Sequence, residues 1–206
     1  MPASTSARDV FINCPFDPTY KPIFWAIVFT VLRSGFSPRC ALEADDSSEN
    51  RLSKIEAIIE ECRYGIHDIS RTEVDGDPPL PRFNMPLELG LFLGAKRYGN
   101  RDQKTKRALV LDREQYRFQR FISDIAGADI HAHGTEPGKC VEQVATWLRT
   151  QSRDPKIPGG RKIAEEFEIF RSQLPAICAD RHLEPEELTF GDFAELVAAY
   201  LTADID

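Results

Sequence analysis

The stretch "RFNMPLELGLFLGAKRYG", Arg82 to Gly99, holds a single acid among apolar neighbours. Leu87, Leu89, Leu91, Phe92 and Leu93 surround Glu88 and leave little polar face to a helix. Asn84 suits the N-cap position, and Pro86 is tolerated in a first turn. Glu88 then lies one turn in, where the positive helix end favours its ionised form. Apolar flanks keep water away and raise the cost of that charge. Two readings follow. Glu88 is a structural ion pair with Arg71 or Arg82, or it is a carboxylate held ready for chemistry.

The other residues capable of chemistry gather at predicted strand ends. They are Asn13-Cys14-Pro15-Phe16-Asp17, Glu43 with Asp45-Asp46, Asp68-Ile69-Ser70-Arg71, Asp112-Arg113, and His131 with His133. The two histidines are one residue apart on a strand, but no third or fourth ligand has metal-site spacing, so they read as a solvated strand end. Asp45, Asp46 and Glu49 read as a solvated acidic loop, and Asp75-Gly76-Asp77 as a turn, since calcium-loop spacing is missing. "GADIHAHG" is not a phosphate loop, and no G-x-S-x-G elbow occurs. Cys14, Cys40, Cys62, Cys140 and Cys178 include no C-x-x-C pair and read as buried thiols, Cys14 being the one at a strand end beside the polar residues. Trp25 and Trp147 are assigned to the core.

The elements that position these residues follow from periodicity. "RDVFINC" is a first strand, and "KPIFWAIVFTVLRSG" a buried helix stopped by Gly35. "FSPRCALE" is a second strand, and Pro38 suggests an edge or a bulge there. "NRLSKIEAIIEECRYG" is an amphipathic helix closed by Gly65, and "IHDIS" a third strand. "RTEVDGDPPLPR" is a charged loop before the Glu88 helix. "KRALVLD" is a fourth strand, "REQYRFQRFISDIAG" a short helix, "ADIHAHG" a fifth strand and "EPGKCVEQVATWLRTQ" a helix. Such alternation predicts a flavodoxin-like α/β domain over about residues 8–152, a five-stranded parallel sheet flanked by helices. "SRDPKIPGG" reads as a linker. A C-terminal helical appendage follows over 160–206, with helices near Gly160–Asp180 and Glu184–Thr202, the last capped by Thr189 or Asp192. Apolar stripes on both helices predict docking, either to the sheet domain or to a second copy or partner protein.

With 206 residues and a formal net charge of −7, the chain is unsuited to general nucleic-acid binding, which needs a basic surface. No apolar run reaches the roughly 18–20 residues of a membrane span. The N-terminus lacks a secretory signal, so a cytoplasmic protein is expected.

Three motifs, "VFINCPFD", "GIHDISR" and "RFNMPLELG", occur in the order used by the superfamily that joins TIR domains and nucleoside 2-deoxyribosyltransferases. The chain resembles that superfamily over about residues 8–150. The third motif is similar to its Asn-x-x-x-Glu-x-Gly helix start, which carries the catalytic glutamate. The resemblance implies cleavage of an N-glycosidic bond by Glu88, with Asn84 positioning the sugar or the carboxylate. It matches Asp68 to the aspartate of the third strand and places Asn13 and Phe16 at the base or nicotinamide; Ser70, Arg71 and Met85 complete the implied substrate-binding set. NAD enters as substrate, with no cofactor and no metal. Met85-Pro86-Leu87 stands where many TIR domains carry Cys or Trp before the glutamate. The implied activities are NAD hydrolysis to nicotinamide and ADP-ribose or a cyclic product, as in anti-phage defence effectors, or nucleoside or nucleotide deoxyribosyl transfer or hydrolysis. A third alternative is a non-catalytic nucleotide-sensing or interaction module. The chemistry suits the residues independently: an oxocarbenium-like transition state is stabilised or attacked by a nearby carboxylate.

Overall fold

Strand β1 (Ser6–Asn13) emerges into a proline-rich turn and then helix α1 (Lys21–Arg33). Gly35 ends that segment in a left-handed conformation, φ +76°, and three-residue β2 (Ser37–Arg39) follows. Helix α2 (Arg51–Glu61) is capped by the Asn50 side chain, which accepts from the amides of Leu52 and Ser53. This computed structural model of the chain describes residues 6–43, 48, 50–75 and 80–203; the acidic residues Asp45, Asp46, Glu49 and Asp77 lie outside them.

Helix α2 runs directly into β3 (Cys62–Asp68), so Gly65 does not close a helix. It lies inside the strand, where an added Cβ would sit 2.6 Å from His67 Nε2 and 2.8 Å from the Phe92 ring. The abrupt helix end is satisfied from outside. The buried Lys106 ammonium donates to the carbonyls of Ile59 and Cys62. The charged loop after β3 contains a small antiparallel hairpin, β4 (Val74–Asp75) with β5 (Leu80–Pro81). Helix α3 (Asn84–Tyr98), β6 (Arg107–Asp112), β7 (Ile130–Ala132) and α4 (Pro137–Ser152) complete the α/β unit. Between β6 and β7 the expected α-helix is replaced by two short 3₁₀ turns, Arg117–Arg120 and Ser123–Ile125. Phe118, Phe121, Ile122 and Ile125 there fold inward onto Ile69, Met85 and Leu89 as one small cluster, which a single helical face could not present.

The five strands of the main sheet are all parallel, in the order β2-β1-β3-β6-β7. This is a flavodoxin-like sheet with β2 at the edge, where Pro38 costs no central ladder bond. Because the chain winds outward in both directions from β1 and β3, the crevice between their carboxyl ends is the topological switch point, where ligands bind in this architecture.

Helices α5 (Gly160–Asp180) and α6 (Phe190–Ala203) cover α1 and α4. Their stripes, Ile163, Phe167, Phe170 and Leu174 with Phe193, Leu196 and Val197, are buried in the same core as Ile27, Val141 and Val144. Trp25 stacks on Phe193 at 4.0 Å between centroids, and Arg33 makes a paired contact with Glu166. Thr189 caps α6 reciprocally with Asp192. The apolar faces that called for a docking partner are thus spent within the chain. All five cysteines are buried and unpaired. No helix among the described residues is long and apolar enough to cross a membrane.

Candidate active site

At the end of β1, Asn13 is almost completely buried. Its amide nitrogen donates to the carbonyl of Met85 at 2.9 Å and meets His67 Nδ1 at 3.1 Å. Met85 lies in the first turn of α3, so Asn13 joins the sheet directly to the turn that leads to Glu88. The helix begins one residue earlier than expected: Phe83, not Asn84, holds the cap position, without a side-chain bond, and exposed Asn84 is the first helical residue. Pro86 consequently falls where its missing N–H would have had no intrahelical partner. Asn84 and Glu88, four apart, lie one above the other on the same flank. Met85, Leu89 and Phe92 form the buried face of α3, while Phe83 and Leu87 are exposed and give the rim an apolar lip.

Glu88 is half-buried. No hydrogen bond or ion pair joins it to any described residue, and burial raises its pKa from 4.5 to about 7, opposed only by the more distant charge of Arg51. Arg71, one of the two expected partners, instead binds Asp17 at 2.9 Å and contacts the Thr19 hydroxyl. Desolvation raises the Asp17 carboxyl, but the Thr19 hydroxyl, then the Arg71 charge and the Tyr20 amide, hold it below its usual range. The Cys14 thiol is raised well above its usual value, chiefly by burial and further by the fields of Asp68 and Glu88. Both carboxylates therefore act on the same strand end.

They reach it from different sides. Side chains alternate along β3. His67 faces Phe11 and Phe92, whereas Asp68 turns toward β7. There Asp68 is sealed from solvent. It accepts from the Ser70 amide at 2.8 Å and from His133 Nε2 at 2.8 Å, and the Ser70 hydroxyl also meets that nitrogen, at 3.1 Å. Thr135 N–H donates to His133 Nδ1 at 3.0 Å, which leaves the ring proton on Nε2. One imidazole nitrogen thus serves both Asp68 and Ser70. The arrangement is a buried clasp rather than a nucleophile relay, which needs the two ring nitrogens to face opposite partners. His131 is exposed as expected of a strand end, but His133 is buried. It turns inward to Asp68 just before Gly134 and Thr135, both at positive φ.

Of the residues singled out in the sequence, Asn13, Met85 and Glu88 come together, with Asn84 on the flank of Glu88. Phe16 is half-buried between the two sheet-face clusters, edge-on to Phe24. Asp68 and Ser70 belong to the clasp, and Arg71 to the Asp17 loop. Sequence reasoning passed over His67, which reads as an ordinary residue of a short strand. Gly65 two residues earlier was the available signal, since it empties the space the ring occupies. It also passed over Arg117, buried and bonded to Asp112, to the Ile69 carbonyl and to Thr72, which ties the loops after β3 and β6 together. Glu43 forms a double contact with Arg39 and is not free for ligand. Among the described residues no three His, Cys, Asp or Glu side chains converge as a metal site.

What the fold and site define is a doubly wound α/β protein with a carboxylate near its switch point that has no side-chain partner among the described residues. Compared with family models, with curated proteins and with solved structures, the chain finds no match.

Proposed function

We propose that the chain cleaves N-glycosidic bonds of a small nucleotide, NAD foremost, with Glu88 as the reacting carboxylate. The observation that carries this reading is Glu88 itself: half-buried, without an ion-pair partner among the described residues, and raised to about 7 by desolvation. A carboxylate deprived of water and counter-ion gains most from a positive charge that appears beside it. Departure of a base from an anomeric carbon creates such a charge. In NAD the nicotinamide is already cationic before it leaves, so no general acid is required and one carboxylate suffices. Ionised Glu88 stabilises the oxocarbenium-like sugar or attacks it, and water completes hydrolysis. The exposed Phe83 and Leu87 supply apolar surface next to the carboxylate, and Asn84 on the same flank suits a sugar hydroxyl.

Deoxyribosyl transfer would use the same carboxylate but needs a proton for the departing base. The full-length protein, incubated in parallel with NAD, deoxynucleosides and deoxynucleotides and followed by mass spectrometry, separates the two. Release of nicotinamide supports the reading. Release of a free base from deoxynucleosides alone moves the substrate while keeping the chemistry. Tight binding of a nucleotide with no product in any arm makes the module a sensor and overturns the proposal.

A further inference from the structure

Asn13 can be placed in only one orientation. An amide oxygen turned toward the Met85 carbonyl would set two acceptors against each other, so the nitrogen must face it. That nitrogen also meets His67 Nδ1, and an amide nitrogen only donates. His67 Nδ1 is therefore unprotonated, and the neutral ring carries its proton on Nε2. The surroundings agree. The ring is completely buried, lies 4.8 Å from the Phe92 centroid and 5.7 Å from that of Phe11, and has its pKa lowered to about 3 by burial and by Lys106. Nε2 has no hydrogen-bond partner and fills the space that Gly65 leaves. A fully buried imidazole with only one of its nitrogens engaged is a poor choice for stability alone. Its single bond goes to the residue that fixes the start of α3.

We infer that His67 is a positioning residue for Glu88, acting through Asn13 and the Met85 carbonyl as a buried strut between β3, β1 and the first turn of α3. The inference rests on the reading that Glu88 is the reacting group. The strut consumes both amide hydrogens of Asn13. Its carbonyl oxygen accepts from no described residue and is not among the sealed polar atoms, so it remains an acceptor at the rim that Glu88 occupies. Without the imidazole acceptor, Asn13 is free to rotate, its bond to Met85 is no longer enforced, and the helix turn carrying Glu88 loses its register with the sheet. Misplacement of a reacting group by about 1 Å can cost about a hundredfold in rate.

The test compares His67→Phe and His67→Gln with the parent in the full-length protein. Phe keeps a ring between Phe11 and Phe92 but removes the acceptor. Gln offers a carbonyl acceptor to Asn13. With the substrate that the parent turns over, kcat of His67→Phe falls about tenfold or more while KM changes less than about threefold, and His67→Gln recovers most of the loss. Asn13→Asp, which cannot donate, matches His67→Phe, and the double variant is no worse than either. Nitrogen-15 spectra of the parent show one histidine with Nδ1 unprotonated that does not titrate between about pH 5 and pH 9. Unfolding midpoints measured alongside identify any variant that fails to fold, in which case the Gln variant and the histidine spectrum decide. Wild-type kcat in folded His67→Phe, equal losses in the Phe and Gln variants, or a titrating His67 would each overturn the inference. If Glu88→Gln retains full activity, the reading beneath it falls instead, and the two failures are told apart.

Discussion

Replacing Glu88 by Gln should make the protein more stable in alkaline solution while abolishing catalysis. Burial raises the folded-state pKa of Glu88 from 4.5 to about 7. The folded chain therefore holds this proton more tightly than the unfolded chain does. Between those two values folding takes up protons, so stability contributed by Glu88 falls as pH rises, and the penalty is complete above about pH 8. At about 1.4 kcal/mol per tenfold change in proton affinity, the displacement bounds the cost at about 3 kcal/mol. Glu88 is partly open to water, and solvent screening brings the expected figure down to about 1–2 kcal/mol. Gln keeps the shape and carries no charge. Glu88→Gln should unfold with the parent near about pH 5 and about 3–6 °C above it near about pH 8.5, for a chain of this size. Thermal or urea unfolding at the two pH values measures the difference. An unchanged gap between the two proteins, or a variant less stable at alkaline pH, would show that a cation pairs with Glu88 in solution. The carboxylate would then be structural.

Four further outcomes follow. Because Glu88 acts ionised, kcat/KM should fall about tenfold per pH unit below about pH 7 and level off above it; the mirror-image profile would make Glu88 a general acid. Gly65→Ala should destabilise the protein by about 1–3 kcal/mol in denaturant titrations, since the new methyl meets His67 and Phe92 in a full interior. His133→Phe should cost about 2–3 kcal/mol by leaving the buried Asp68 carboxylate with the Ser70 amide but without its imidazole donor, and Asp68→Asn in the same chain should return part of it. Truncation after residue 155 should give an insoluble or unfolded product, judged by circular dichroism and light scattering, because it uncovers the apolar faces of α1 and α4.

The parallel sheet was legible because β1, β3 and β6 alternate with helices whose apolar spacing is plain, and Glu88 was legible because an acid among leucines is conspicuous. The region between β6 and β7 was not. Its aromatic residues mimic a helical stripe, yet from two short 3₁₀ turns they pack into one cluster with Ile69 and Met85, which only tertiary contacts decide. Gly65 was misread as a stop because a helix that ends straight into a strand needs a distant cap, and Lys106, 41 positions further on in sequence, supplies it. Asp68 looked like a ligand-facing rim residue because nothing local reveals that His133 folds inward to cover it. The helical tail was readable as helices, with their apolar stripes, but what those stripes cover depends on α1 and α4, far away in the chain.

The central claim is that Glu88 breaks an N-glycosidic bond. Its most direct measurement is the mass-spectrometric release of nicotinamide from NAD, or of free base from deoxynucleosides, by parent and Glu88→Gln proteins at equal concentration and at about pH 8, where Glu88 is ionised. The account predicts product from the parent and a loss of at least about a hundredfold in the variant, with both proteins folded. Equal product from the two, or none from the parent with any of these substrates, would contradict it.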